Sequence, residues 1–213
     1  MTNRRDVLRA LALGTGGIAL GGLGACTVNI PGPALRSAYG GRTDGVHALP
    51  AVPVGKVPER FRRQRVPYQS KHEPGTVVVS TAERHLWLVE EGGTAMRYGI
   101  GVGKDGFRWG GTARIALKRE WPTWTPPSRM IGRKPELAKW RGGMPGGIGN
   151  PLGARAMYLY RGGRDTLYRI HGSPEWWSIG TQASSGCIRL INQDVIDLYD
   201  RVKTGARVVV KQG

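Results

Sequence analysis

The segment IHGSPEWWSIGTQASSGCIRLIN, residues 170–192, decides both the fold and the chemistry predicted for this chain. His171 ends a predicted strand, and Cys187 follows small residues just before a short apolar run. Nucleophilic acyl transfer needs a thiolate, a base that creates it, and N–H donors that face the developing oxyanion. Cys187 offers the thiol, His171 the base, and the amides of Gly186 and Cys187 the donors. The alternative is that the cysteine is a small buried apolar residue and the histidine a structural one.

The sequence on both sides of this segment is typical of β-structure. Apolar runs and alternating patterns predict strands over 76–80, 85–90, 94–103, 112–120, 156–160, 166–172 and 207–211. An apolar face predicts a helix over 192–202, and PELAKW predicts a short one over 135–140. Proline and glycine predict loops over 121–132 and 141–153. We therefore expect one mainly β domain over 76–213 with one or two short helices.

The composition excludes several classes of protein. The chain has 213 residues, of which 34 are Gly and 14 are Pro. This content is unlike a coiled coil, a helical bundle or a polytopic membrane protein, and it favours strands joined by tight turns. Lys and Arg number 32 against 15 Asp and Glu, a formal net charge of +17 that attracts nucleic acid, anionic lipid or an acidic cell-wall polymer. Nucleic acid is the usual partner of so basic a chain, but the first residues argue against it.

Residues 1–26 are predicted to be an export signal. Arg4 and Arg5 precede a short, uncharged, glycine-rich stretch, a pattern similar to a twin-arginine signal, with a general secretion signal as the alternative. LGAC (23–26) resembles a bacterial lipobox, which predicts that Cys26 is lipidated and anchors the chain to a membrane. Otherwise cleavage occurs nearby and Cys26 is discarded or left free. We expect a protein of the periplasm or cell envelope, without a nucleic-acid partner.

Residues 27–75 are predicted to be a mostly irregular tether between this signal and the folded domain. They are rich in Pro and Gly and show little apolar periodicity. The basic run RFRRQR (60–65) is expected either to bind an anionic surface or simply to be solvated.

Three motifs resemble the signature of the bacterial L,D-transpeptidase catalytic domain. They are NPLG (150–153), IHG (170–172) and SSGCIRL (184–190), and the resemblance extends over about 75–211. It implies a single-domain β-sandwich or barrel that cross-links peptidoglycan stem peptides. In that reaction a cysteine takes the acyl group of a stem tetrapeptide, releases D-Ala, and passes the acyl group to an amine of a neighbouring stem. The resemblance implies no cofactor and no metal, and the other histidines show no ligand spacing.

The resemblance also implies a role for each site residue. Cys187 is the nucleophile, His171 the general base, and the Gly172 carbonyl orients the imidazole. Arg189 matches an arginine expected to bind a substrate carboxylate or fix a loop, with a structural salt bridge as the alternative. Ser185 departs from the family pattern, which commonly has His before the Gly-Cys pair, and a Ser185 hydrogen bond near the substrate remains a prediction.

Four tryptophans and four alternative functions complete the predictions from the sequence. Trp121, Trp124, Trp176 and Trp177 either line a groove for peptide or sugar or pack in the core. Water as acceptor would make the chain an L,D-carboxypeptidase, and a protein amine would make it an enzyme that attaches proteins to peptidoglycan. Outside the enzymes, the alternatives are a non-catalytic cell-wall-binding lipoprotein and a polyanion-binding basic protein.

Overall fold

Valine-rich and alternating apolar runs form the strands of this chain. The computed structural model describes residues 32–103, 109–182 and 186–212. Within them the strands are β1 Arg42–Asp44, β2 His47–Leu49, β3 Gln64–Pro67, β4 Val77–Ser80, β5 His85–Val89, β6 Thr94–Gly99, β7 Gly101–Val102, β8 Gly111–Glu120, β9 Arg155–Arg161, β10 Arg164–Ser173, β11 Ile188–Ile191 and β12 Arg207–Lys211. The α-helices are α1 Pro33–Ala38, α2 Ser128–Arg133 and α3 Asn192–Arg201. Short 3-10 helices lie at Val54–Lys56, Glu59–Phe61, Pro135–Trp140 and Trp176–Ser178.

The described residues form one ten-stranded sheet, with β1 and β2 as a separate hairpin. The strand order is β3-β6-β5-β4-β12-β8-β9-β10-β11-β7. Only Ile100 separates β6 from β7, yet these two strands lie near opposite ends of that order. The sheet therefore curls around its core, as expected for the predicted sandwich or barrel. Fully buried core side chains include Val77, Val79, Leu86, Ile115, Met157, Leu159, Leu190, Leu198 and Val208.

The mainly β fold predicted from the sequence is confirmed, with three local differences. The strand predicted over 94–103 is interrupted at Ile100, whose N–H donates to the Arg84 carbonyl at 3.0 Å. The loop predicted over 121–132 contains most of α2, and residues 135–140 form a 3-10 rather than an α-helix. No helix in the described ranges is long and apolar enough to span a membrane.

The prediction of an irregular tether over 27–75 is wrong for residues 33–67. Strand β3 pairs with β6 in the main sheet, and five apolar side chains from this segment are buried: Tyr39, Leu49, Val54, Val57 and Phe61. The Phe61 ring fits where Gly180 has no side chain, and its backbone fits against Gly99. The buried side chains are irregularly spaced along the segment, so they produce no periodic pattern from which their burial could be predicted.

The basic run at 60–65 also packs rather than remaining fully solvated. Arg62 is buried and donates from Nε to the Val57 carbonyl at 2.9 Å. Arg63 Nη1 lies 3.3 Å from Asp197 of α3, and Arg63 Nε lies 3.8 Å from the buried Asp194. The Tyr39 hydroxyl donates to Asp194 at 2.9 Å. This segment is thus held to α3 by polar as well as apolar contacts.

Asp44, in the β1–β2 hairpin, fixes the same segment to β9 of the sheet through Arg155. Its carboxylate accepts two hydrogen bonds from the buried Arg155 guanidinium, at 2.7 and 2.9 Å. The indole Nε1 of Trp121 donates to it at 2.8 Å. The guanidinium and this indole hold the pKa of Asp44 below its usual value. The Asp44 carboxylate is therefore the main partner of the buried Arg155 guanidinium.

We expect Asp44→Ala to lower the free energy of unfolding by about 3 kcal/mol, because it leaves the Arg155 charge buried without its main partner. Urea denaturation of the full chain measures the change. Val46→Ala is the matched control, since Val46 lies in the same hairpin and is 93% exposed. Equal stability of the two variants would contradict a structural role for this segment.

Candidate active site

The parallel pairing of β10 with β11 brings the histidine and the cysteine to one cleft. The register pairs Ile170 with Ile188 and His171 with Arg189. Paired residues of neighbouring strands point to the same face, and so do residues two apart on one strand. His171, Cys187 and Arg189 accordingly line the same cleft. The strand register thus brings together the residues that the sequence predicted to act together.

Gly172 and Gly153 allow the close packing that supports His171. A Cβ on either glycine would overlap the Oδ1 atom of Asn192, the first residue of α3. That oxygen accepts the backbone N–H of Ala154 at 2.9 Å. Gly153 also has a positive φ of 62°, a conformation that favours glycine. The glycines of the IHG and NPLG motifs thus let strand β10, this loop and α3 meet.

Asn150, the first residue of the NPLG motif, organises the loop beside the cleft. It is fully buried, and its Nδ2 donates to the carbonyls of Pro122, Met144 and Pro145 at 3.0, 3.2 and 3.0 Å. Its Oδ1 accepts the Leu152 N–H at 2.8 Å. One side chain therefore satisfies four backbone groups. The motif maintains the shape of the loop that presents Pro151 and Leu152 to the cleft.

We expect Gly172→Ala to destabilise the fold by about 1 to 3 kcal/mol, the usual range for overpacking. The added methyl group would meet Asn192 and come within 2.9 Å of Val195 Cγ1. Gly149→Ala is the control, because nothing lies within 4 Å of a Cβ there although Gly149 lines the same cleft. Thermal denaturation of both variants measures the difference. A Gly172 variant as stable as the Gly149 variant would contradict the packing argument.

His171 is a neutral imidazole at neutral pH. Burial, together with the charges of Arg189 and Arg169, lowers its pKa to about 4. Its Nδ1 lies 2.6 Å from the Gly172 carbonyl oxygen, which can only accept, so Nδ1 carries the proton and donates. The other ring nitrogen, Nε2, is then unprotonated and able to accept a proton. This is the contact that the resemblance implied for Gly172.

Cys187 is half-buried and directly precedes β11. Burial raises the pKa of its thiol, while a hydrogen bond from the Arg169 backbone and the charges of Arg169 and Arg189 act in the opposite direction. The resting pair is thus a thiol beside a neutral imidazole, not a preformed thiolate–imidazolium pair. Gly186, just before it, is buried with φ at 137°, a value that side chains disfavour.

Arg189 makes a salt bridge and also lines the cleft. Its Nη1 lies 2.9 Å from Oε2 of Glu175, an exposed residue in the loop after β10. Its buried Nε has no hydrogen-bond partner in the described structure. The salt bridge that the sequence left as an alternative is therefore present, and a donor atom is left over on the same side chain.

The cleft itself has a volume of about 620 Å³, which is the size of a site for a small ligand. Its second wall comes from α2 and the 3-10 helix that follows, which contribute Met130, Arg133, Lys134, Glu136 and Leu137. Trp124 completes this wall. The cleft thus combines apolar surface with several cationic side chains.

The other predicted residues either lie outside the described part of the chain or occupy different surroundings within it. Ser185, Cys26 and the proposed signal over 1–26 lie outside the described residues. Trp124 lines the cleft, whereas Trp121 and Trp176 pack against the two apolar clusters of the protein. Trp177 is 62% exposed. Within the described ranges, no three His, Cys, Asp or Glu side chains form a group that could hold a metal ion.

Sequence reasoning missed two residues that act on His171 and Cys187 or on Arg189 beside them. Arg169 stacks its guanidinium 4.2 Å from the Tyr158 ring centroid, pairs with Asp165 at 2.7 Å, and acts on the pKa of Cys187. Its place two residues before His171, on the same face of a predicted strand, was a usable signal. Glu175 gave no such signal, because it lies in a loop whose path a periodic pattern does not predict.

Comparison with known proteins agrees with this geometry. Residues 74–210 match the YkuD family model, described as the L,D-transpeptidase catalytic domain. Probable L,D-transpeptidase YbiS of Escherichia coli K12 is 33% identical over 144 residues, which are 62% of this chain and 43% of that protein. Probable L,D-transpeptidase ErfK/SrfK of the same organism is 37% identical over 144 residues, 63% of this chain and 43% of that protein. The match thus spans less than half of either relative.

A solved structure is similar over nearly its whole length. The crystal structure of a protein from Brucella melitensis, named a probable carnitine operon oxidoreductase caia, is 51% identical, with a TM-score of 0.51. The match covers 73% of this chain and 96% of that one. Because the family model covers more than half of its residues, this chain belongs to the YkuD family of L,D-transpeptidase catalytic domains.

Proposed function

We propose that this protein is a peptidoglycan L,D-transpeptidase with Cys187 as nucleophile and His171 as general base. One observation carries the proposal: the β10–β11 register lines a single cleft with both residues, and the Gly172 carbonyl fixes the histidine tautomer. Membership of the YkuD family supplies the substrate class, which is the stem peptide of peptidoglycan.

In the first step, His171 Nε2 takes the thiol proton as Cys187 Sγ attacks the carbonyl of the third residue of a stem tetrapeptide. The amides of Gly186 and Cys187 are proposed to hold the resulting oxyanion. The C–N bond to the terminal D-Ala then breaks, and the imidazolium gives its proton to the departing amine. The product is a thioester between Cys187 and the shortened stem.

In the second step, an amine of a neighbouring stem attacks the thioester carbonyl. His171 takes a proton from that amine, the C–S bond breaks, and the proton returns to the sulfur. A new amide bond joins the two stems, and the enzyme regains its thiol. The overall reaction exchanges one amide for another, so it needs no external energy source.

Arg189 is proposed to bind a carboxylate of the substrate. Its Nε is buried without a hydrogen-bond partner in the described structure, and Glu175, its salt-bridge partner, is exposed and therefore replaceable by a substrate carboxylate. Ser185 is proposed to donate a hydrogen bond near the same site. Because Nδ1 of His171 already has its partner, a second histidine before the Gly-Cys pair is not needed for proton removal.

The site of action is proposed to be the periplasm or cell envelope, since peptidoglycan lies there. The twin-arginine-like segment with Arg4 and Arg5 and the lipobox-like LGAC support this location. Metabolic labelling with a fatty acid tests the anchor: Cys26→Ala should lose the label. A chain with Lys at both arginine positions should accumulate inside the cell if the twin-arginine route is used.

The decisive experiment incubates the full chain with purified disaccharide tetrapeptide and measures the products by mass. A cross-linked dimer lacking one D-Ala supports the transpeptidase. Release of D-Ala with tripeptide alone would assign an L,D-carboxypeptidase instead. No product, and no acyl adduct on Cys187, would overturn the proposal and favour a binding role. An adduct of peptide mass also distinguishes acyl transfer from the redox chemistry that the name of the Brucella melitensis protein suggests.

A further inference from the structure

A second cavity, distant from Cys187 in the strand order, carries five cationic side chains among its twelve lining residues. It has a volume of about 640 Å³ and lies between the loop before β4, strand β8 and the segment that joins α3 to β12. Its charged lining residues are Lys71, Glu73, Arg114, Arg201, Lys203 and Arg207. None of its lining residues belongs to the cleft that holds His171 and Cys187. We call it the basic cavity.

Two arginines of the basic cavity stand directly opposite each other on neighbouring strands. Arg207 of β12 is the antiparallel register partner of Arg114 of β8, and both side chains line the cavity. Like charges in such cross-strand pairs destabilise a sheet. The chain therefore keeps an unfavourable pair at the edge of an open cavity, which is the arrangement expected where an anion binds between the two guanidinium groups.

The charges of the basic cavity are only partly compensated by the protein. Arg201 is paired with Asp197 at 2.9 Å, and Arg114 donates to the Gly205 carbonyl at 3.0 Å. Within the described residues, Lys71, Lys203 and Arg207 form no salt bridge. Of the lining residues, Glu73 alone is acidic. The cavity thus presents several cations without a matching carboxylate.

The cations of the basic cavity also act on the imidazole of His72. Its pKa is lowered first by desolvation and then by the charges of Arg207, Lys71 and Lys211. His72 is therefore mainly neutral at pH 7 and adds hydrogen-bonding capacity rather than charge. An anion held in the cavity would oppose this effect and raise the pKa of His72.

We propose that the basic cavity binds a phosphate-bearing anion. Paired guanidinium groups bind phosphate oxygens through two parallel hydrogen bonds each, and lysines add point charges around them. The cavity is large enough for a phosphate that carries an organic substituent, such as a phosphodiester headgroup of a lipid. The proposal does not depend on the activity of Cys187, because the two sites share no residue.

The test compares three forms of the full chain: wild type, Arg207→Gln and Arg164→Gln. Arg164 is the matched control, since it is exposed on β10 and lies outside the basic cavity. Inorganic phosphate is titrated by calorimetry at constant ionic strength, with sodium chloride and citrate as comparison anions. Sedimentation with phosphatidylglycerol vesicles, against phosphatidylcholine vesicles, separates a lipid headgroup from soluble phosphate as the source.

We expect Arg207→Gln to weaken phosphate binding at least tenfold, while Arg164→Gln binds like the wild type. The melting temperature of Arg207→Gln without phosphate should be equal to or higher than that of the wild type, because the substitution removes a like-charge pair. Binding of phosphate together with phosphatidylglycerol vesicles would support a lipid source, and binding of phosphate alone a soluble one. The proposal would be overturned if both variants lost the same phosphate affinity, if citrate bound as tightly as phosphate, or if phosphate binding did not saturate.

Discussion

Cys187→Ser should abolish formation of cross-linked product and of any acyl adduct, while the thermal unfolding transition remains that of the wild type. The substitution keeps the shape of the side chain but replaces a thiol with a hydroxyl that ionises far less readily. His171, with a pKa of about 4, is too weak a base to activate that hydroxyl efficiently. Intact-protein mass spectrometry after incubation with tetrapeptide measures the adduct, and circular dichroism measures the fold.

The chain contains its own control for this experiment. It has two cysteines, and the other one is Cys26 in the predicted export signal. Cys26→Ser should leave turnover and adduct formation in vitro unchanged. An adduct retained in Cys187→Ser, or lost in Cys26→Ser, would show that the nucleophile has been assigned to the wrong residue.

His171→Gln should reduce the rate of acylation of Cys187 by about 10² to 10⁴, the usual contribution of a general base. It should also change the pH profile. Because the pKa of His171 is lowered to about 4, the wild-type base is unprotonated above that pH. Wild-type acylation should therefore persist to about pH 5 and decline near pH 4 as the imidazole becomes protonated. The variant should lack this acid limb, and its rate should rise with pH as the thiolate fraction grows.

Single-turnover acylation rates between pH 3.5 and about 9 measure this difference, with circular dichroism at each pH to separate loss of activity from loss of fold. His72→Gln is the matched control, since His72 lies in the basic cavity and not in the catalytic cleft. A wild-type rate and profile in His171→Gln would remove His171 from the mechanism. An acid limb near pH 6 instead would mean that the cleft is less shielded from water than its burial indicates.

Sequence reasoning succeeded where one periodic pattern or one motif determines the structure. The apolar runs and alternating patterns predicted the strands. The IHG and SSGC motifs singled out His171 and Cys187, which the parallel pairing of β10 with β11 places in one cleft, and their catalytic roles stay a prediction. Sequence reasoning did not predict the protonation states of His171 and Cys187. Burial lowers the pKa of His171 and raises that of Cys187, and burial depends on residues distant in the sequence.

Dependence on residues distant in the sequence also explains why the burial of residues 33–67 was not predicted. Tyr39 is fully buried against a cluster that includes Ile179 and Ile191, residues far away along the chain. A burial of this kind leaves no local pattern. Phe61 packs against Gly99 and Gly180. These glycines also gave no signal, because a glycine that leaves room for a distant ring cannot be distinguished in the sequence from a glycine of a turn.

The pairing of β3 with β6 has a consequence for any shortened form of this protein. The family match begins at residue 74, beyond β3, so a chain cut at that boundary would leave one side of β6 without its neighbour. Exposed N–H and C=O groups along a strand invite pairing with a second molecule. The space left by Phe61 would also expose apolar surface beside Gly99 and Gly180. Such a fragment should self-associate through the edge of β6, so the residues before the family boundary protect that strand as well as the fold.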